Sequence, residues 1–326
     1  MMQTMPPSLL DKRVIIVTGK GGTGKTTVAA CLADAARRQG KRVVLAETAA
    51  TESIAACFES SPQPLGYKGR ELRPNLYALR IEPEAALAEY LGLQIGLRGL
   101  TDRVLRTDMF RQLLEAVPGW RELIILGKIW HLEQKTDVSN RPVYDLIVVD
   151  APATGHGLTF LDVPRVVQTA VRAGPLSRHA SWVESLIHDR ERTLLLPVTL
   201  PEELPVLETH QLIERARNTI DVGVDRIIVN AMPEMHAKPL TPILESLPEN
   251  LQLDVLPPVA MIKGILAHSE RRESLAFRER QHVSRLCGLP VVDLPFSSTA
   301  FESGDDWAAL VDAILGDCVW PGESPQ

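Results

Sequence analysis

A run of β-branched residues, Val14-Ile15-Ile16-Val17, leads into Gly19-Lys20-Gly21-Gly22-Thr23-Gly24-Lys25-Thr26-Thr27, and an alanine-rich apolar segment, Val28 to Arg38, follows. This constrains the fold more than any other feature, because strand, glycine loop and helix must occur in that order around one central strand. Glycines let successive backbone N–H groups turn inward toward an oxyanion, and the helix that follows adds its positive N-terminal end. The predicted loop is therefore a phosphate cradle. The helix stops at Gly40, as a glycine C-terminus implies.

The strand–loop–helix context satisfies the Walker A pattern and predicts a nucleoside triphosphate, read as ATP, with Mg²⁺. Gly19, Gly21, Gly22, Thr23 and Gly24 supply the backbone, Lys25 neutralises the β- and γ-phosphates, Thr26 enters the Mg²⁺ shell, and Thr27 reaches the α-phosphate. A second apolar strand, Leu146-Ile147-Val148-Val149, ends in Asp150, which is the Walker B arrangement and the expected carboxylate of the metal site. Directly after it, Ala151-Pro152-Ala153-Thr154-Gly155-His156-Gly157 is stiff and then flexible, as a segment that senses a γ-phosphate would be.

Apolar runs recur at 14–18, 43–46, 76–81, 145–149, 193–199 and 225–229, separated mostly by helix-like segments. Buried strands alternating with helices predict a doubly wound α/β fold with a mainly parallel sheet. Residues 83–140 break this rhythm with helical patterns at 85–91, 109–116 and 121–134, and they are expected to form a helical subdomain within a single domain spanning 1–326. The stripe Leu123, Ile124, Leu126, Ile129 and Trp130 is read as packing rather than a client groove. Residues 319–326, with Pro321 and Pro325, are expected to be a loose tail.

A net charge of −6 argues against a general nucleic-acid binder, and the basic stretch Arg271 to Arg280 carries Glu270, Glu273 and Glu279, so it reads as a solvated helix face. No apolar stretch approaches the ~20 residues of a membrane span, and no signal peptide is read at the N-terminus. Cys31, Cys57, Cys287 and Cys318 are scattered and form no C-x-x-C pair, which points to reduced thiols rather than disulfides or zinc. The expectation is a cytoplasmic protein, with peripheral docking at a membrane left open.

Lys20 inside the loop gives G-K-G-G-x-G-K-T-T, a deviant Walker A, and D-A-P-A-T-G-H at 150–156 resembles the second switch of the ArsA-type anion-pump ATPases and their relatives that target tail-anchored membrane proteins. The resemblance runs from about residue 12 to 296, through Leu196-Pro197-Val198-Thr199-Leu200-Pro201-Glu202-Glu203 and the strand ending in Asn230. The loop alone also fits the MinD and ParA branches. The resemblance implies a nucleotide-sandwich dimer or pseudo-dimer, with Lys20 reaching the partner's phosphates. It further implies that Asn230 reads the adenine, that the loop around Pro295 and Phe296 covers the base, and that Glu47 contacts a Mg²⁺-bound water. Lys20, Lys25 and Glu47 are thus the expected catalytic residues.

The chain departs from the pattern at the first switch. In Val43-Val44-Leu45-Ala46-Glu47-Thr48-Ala49, alignment on the strand end puts Ala49 where the family's water-orienting aspartate belongs, and no Asp occurs between Asp34 and Asp102. Glu52, beyond it, is read as a solvated loop residue. Tight or moderate ATP binding with slow hydrolysis is expected. Two partner arrangements follow: a homodimer, or a heterodimer in which this chain is a near-inactive ATP-binding subunit of an intact ArsA-like sister. No cysteine group suits arsenite, and Met109 is the only methionine between 82 and 192, which weakens, without excluding, a protein or membrane-protein client.

Overall fold

The computed structural model describes residues 9–49, 52–95, 119–152, 157–171, 173–233, 259–297 and 304–315. Its centre is an eight-stranded sheet in the order β3-β4-β2-β5-β1-β6-β7-β8, formed by β1 (Val14–Thr18), β2 (Val43–Glu47), β3 (Arg70–Arg73), β4 (Leu76–Arg80), β5 (Leu146–Asp150), β6 (Thr193–Thr199), β7 (Ile227–Met232) and β8 (Val291–Pro295). Every neighbouring pair is parallel except β3 with β4. The chain is a doubly wound α/β protein with a mostly parallel sheet.

The continuous apolar runs are explained by burial on both faces. Along β1, Val14 and Ile16 enter one hydrophobic cluster while Ile15 and Val17 enter another on the opposite face. The second cluster is closed by helices α1 (Lys25–Arg38) and α8 (Gly304–Ile314). The first is covered by α2 (Pro83–Ile95), α3 (Trp120–Gln134), α4 (Gly157–Ala170), α5 (Pro175–His188), α6 (Glu203–Arg215) and α7 (Val259–Cys287).

Between β4 and β5 lie α2 and α3. Ile124, Leu126 and Ile129 of α3 are buried in the same cluster as Val14 and Val149, while Leu123 joins a small cluster with Val163 and Ala180. Four residues of the α3 stripe thus pack inside the molecule, while the fifth, Trp130, is half-buried. The helix read at Met109 to Ala116, the segment Ala153 to His156 and the tail at 319–326 lie outside the described residues.

Two strands lie outside the six apolar runs. β3 is Arg-Glu-Leu-Arg at the sheet edge with only Leu72 buried, so its pattern is that of a solvated turn. β8 follows the long helix α7 and pairs with β7. The basic stretch also differs from a wholly solvated face. Arg280 is 1% exposed, because its guanidinium donates from Nε to both carboxylate oxygens of Asp293 on β8, at 3.0 and 3.1 Å. Pairing makes the burial of that charge tolerable.

Candidate functional site

The site forms where the central strands end. In register, Val17 lies beside Asp150 on β5, and Asp150 lies beside Glu47 on β2, so one row across the sheet ends in a loop and two carboxylates. Ligands of open parallel sheets sit at this edge, where the strand order reverses.

The loop is held from two sides. Gly24, the N-cap of α1, has φ 86°, and a Cβ there would meet Asn230 Nδ2 at 2.2 Å. The Asn230 amide donates to Thr23 O at 2.9 Å, bracing the loop from the end of β7. A Cβ on Gly19 would meet Val198 O, also at 2.2 Å, so β6 presses on the other end. Gly21 and Gly22 lie exposed at the tip, and Thr27 is half-buried in the first helical turn.

Lys25 folds back over the loop, donating from Nζ to Lys20 O at 3.0 Å. Burial pushes its pKa down, and the neighbouring Asp150 charge partly restores it. Thr26 Oγ1 donates to Asp150 Oδ2 at 2.7 Å, joining the first turn of α1 to the end of β5. Asp150 is 2% exposed and its Oδ1 is buried without a hydrogen-bond partner. Desolvation, helped by the Glu47 charge, raises its pKa to about 6 against the pull of Thr26 and Lys25.

Glu47 is fully buried. Its Oε1 accepts from the backbone N–H groups of Ser53 and Ile54 at 2.6 and 3.2 Å and from Ser53 Oγ at 2.9 Å, while Oε2 has no partner. Burial raises this pKa too. Thr48 Oγ1 donates to Asp150 O at 2.7 Å, fixing the start of the segment that carries half-buried Ala49. Glu52 is not a solvated loop residue. It accepts from the N–H groups of Leu65 and Gly66 at 2.9 and 3.2 Å and lies 3.8 Å from Arg80, which makes it a staple for the next turn.

Lys20 Nζ lies 2.7 Å from Glu208 Oε1 on α6. No sequence signal marked Glu208, which lies 188 residues away. Pro295 ends β8, and Phe296, 62% exposed, donates its N–H to Met232 O at 2.8 Å, just beyond Asn230. The predicted phosphate and metal residues therefore converge, with Asn230 and Phe296 at the neighbouring strand ends.

The model of the anion-transporting ATPase family, of which ArsA is the namesake, matches residues 12–178, just over half of the chain and the part that contains the loop, Glu47 and Asp150. The chain belongs to this family. Among individual members, it is 37% identical over 238 residues to ATPase BagA of Mycobacterium tuberculosis, covering 72% of this chain and 69% of that one. It is 28% identical over 254 residues to putative arsenical pump-driving ATPase 2 of Aquifex aeolicus, covering 68% and 81%. With ATPase GET3 of Phaeosphaeria nodorum the identity is 26% over 273 residues, covering 71% and 81%. Among the described residues, no helix is long and apolar enough to cross a membrane.

Proposed function

We propose that this member of the family binds Mg-ATP in the 19–27 loop and works as a dimeric nucleotide switch whose hydrolysis is slow. The observation that carries the reading is the 2.7 Å hydrogen bond from Thr26 to Asp150, with Asp150 Oδ1 left unpartnered beside it. A hydroxyl and a buried carboxylate at the mouth of a glycine cradle are the oxygen donors that a hard divalent cation takes, so these residues fit Mg²⁺. When bound, Mg²⁺ supplies charge neutralisation at the phosphate oxygens. The chain's own groups do the rest. Loop N–H groups would hold the phosphates, Lys25 would give up its bond to Lys20 O for a phosphate oxygen, and Thr27 would serve the α-phosphate. Asn230 and the exposed Phe296 ring, with Pro295, flank the place for the base.

In this reading the loop is a deviant Walker A, and Lys20 leaves Glu208 to reach the phosphates of a partner subunit. Glu47, with Oε2 unpartnered next to Asp150, would accept from a water of the metal shell. The switch acts in the cytoplasm on a protein or membrane-protein client. One observation favours a second arrangement: Ala49 supplies no group to orient an attacking water. The chain is then the ATP-binding, near-inactive partner of an intact ArsA-like sister in a heterodimer.

Calorimetric titration with ATP and Mg²⁺ tests the cradle. Binding is expected for the native chain and a loss of affinity of at least about tenfold for Lys25→Ala. An unchanged affinity would sink the assignment.

A further inference from the structure

A second concave site lies among α2, α3 and α5 and shares no residue with the phosphate loop. It is a cavity of about 90 Å³, open to solvent, with Tyr90, Gly127, Trp130, His179 and Trp182 in its wall and Glu89, Lys128 and His131 at its polar side. Its centre is His179, 5% exposed. Tyr90 lies 4.7 Å from the imidazole, and Trp130 and Trp182 stand edge-on to it at 5.9 and 6.2 Å. The two indoles stack on each other at 5.0 Å, and Trp182 remains 41% exposed.

Two features go beyond ordinary packing. Gly127 sits inside α3, although glycine is a poor interior helix residue. A Cβ there would meet His179 Nε2 at 2.1 Å, so the missing side chain is what lets the ring enter. His179 Nδ1 is buried with no hydrogen-bond partner, a state that ordinary cores avoid. The two charged groups of the wall are matched to each other. Glu89 takes Lys128 and the Tyr67 hydroxyl, and Lys128 also lies over the Tyr67 ring at 4.8 Å.

That wall selects its ligand. A cation meets the Lys128 charge, and an anion meets Glu89 with an imidazole that burial keeps neutral, its pKa pushed down to about 4. An uncharged flat ring meets aromatic faces and edges in favourable geometry. We propose that this cavity is a binding site for a small, neutral aromatic molecule carrying one N–H or O–H group, with His179 as its hydrogen-bond partner and Trp130, Trp182 and Tyr90 as its walls. The volume is below the ~150 Å³ of an engineered apolar cavity that admits benzene, so the ring enters with part of the molecule at the open mouth. The assignment is independent of the nucleotide reading.

The test is titration of the full-length chain with phenol and indole, followed by calorimetry and by quenching of tryptophan fluorescence, with toluene as the ring lacking a polar group. Saturable one-site binding of phenol and indole is expected, about tenfold tighter than toluene. His179→Phe keeps a ring in place and removes its nitrogens, so phenol should fall to the affinity of toluene while toluene is unaffected. Trp182→Ala, at a 41% exposed position, should weaken phenol, indole and toluene about fivefold each. It decides the matter alone if His179→Phe does not fold. No saturation up to the solubility limit, or affinities unmoved by Trp182→Ala, would overturn the proposal. So would binding of a tryptophan-containing peptide in the absence of binding by free indole, which would make the cavity a protein-docking surface.

Discussion

Lys20 Nζ and Glu208 Oε1 are 2.7 Å apart, with the two side chains 40% and 42% exposed, so the lysine at the head of the glycine loop is paired within its own chain. An ion pair this exposed contributes at most about 1 kcal/mol. It can hold a lysine in place and still release it to a stronger anion.

Glu208→Gln should leave thermal stability within about 0.5 kcal/mol of the native chain. If Lys20 serves a partner's phosphates, the same change removes the competing carboxylate. Association in the presence of a non-hydrolysable ATP analogue, read by sedimentation, should then strengthen up to about fivefold. Weakened association would mean that Glu208 itself works across the subunit boundary.

Ala49 follows Thr48, whose hydroxyl donates to Asp150 O, so its position relative to Asp150 is set by that bond. Restoring a carboxylate there should restore water orientation. Ala49→Asp is expected to raise single-turnover hydrolysis by roughly 10²- to 10⁴-fold while ATP affinity changes little. A native chain that already turns over as fast as the substituted one contradicts the slow-switch reading.

Asp150 and Glu47 are neighbours in register, and each has one buried oxygen without a partner. The folded chain holds the Asp150 pKa at about 6, above its ordinary 3.8, so folding favours the protonated acid. The unfolded chain ionises first as pH rises, and stability therefore falls between about pH 3.8 and pH 6. Asp150→Asn should raise the melting temperature of the nucleotide-free protein at pH 7.5, a gain of roughly 1–3 kcal/mol, and give little gain at pH 4. The substituted protein should also lose any Mg²⁺ dependence of ATP binding. A drop in stability at pH 7.5 would show that the carboxylate is structurally required.

His179 has the opposite linkage. Its pKa is pushed down to about 4 from 6.5 by burial first and by the neighbouring His131 second, while Glu89 and Lys128 share the cavity. The unfolded chain takes up the proton first as pH falls, so this group's contribution is present above pH 6.5 and is lost toward pH 4. Denaturation curves across that window should show His179→Phe to be less acid-sensitive than the native chain by about 2–3 kcal/mol. Parallel pH profiles for the two proteins would rule the linkage out.

The sheet was legible because its strands are buried on both faces and leave continuous apolar runs, as along Val14 to Val17. The edge strand Arg70–Arg73 was not, since an edge exposes its polar side chains and looks like a turn. The basic stretch misled for a related reason. Charge patterning cannot tell Arg280, buried against Asp293, from the exposed arginines around it.

By itself the sequence determined the α/β class, the glycine loop between β1 and α1 and the carboxylate that ends β5, because a contiguous loop and the end of an apolar strand are local patterns with few structural solutions. Only the tertiary structure decided that Asn230 braces Thr23, that Lys20 is paired to Glu208 and that Glu52 staples the turn at Leu65. It alone assembled the cavity around His179 from residues on three separate helices. Such contacts join residues far apart in the chain, and their partners are chosen by how helices and strands pack, which no local spacing records.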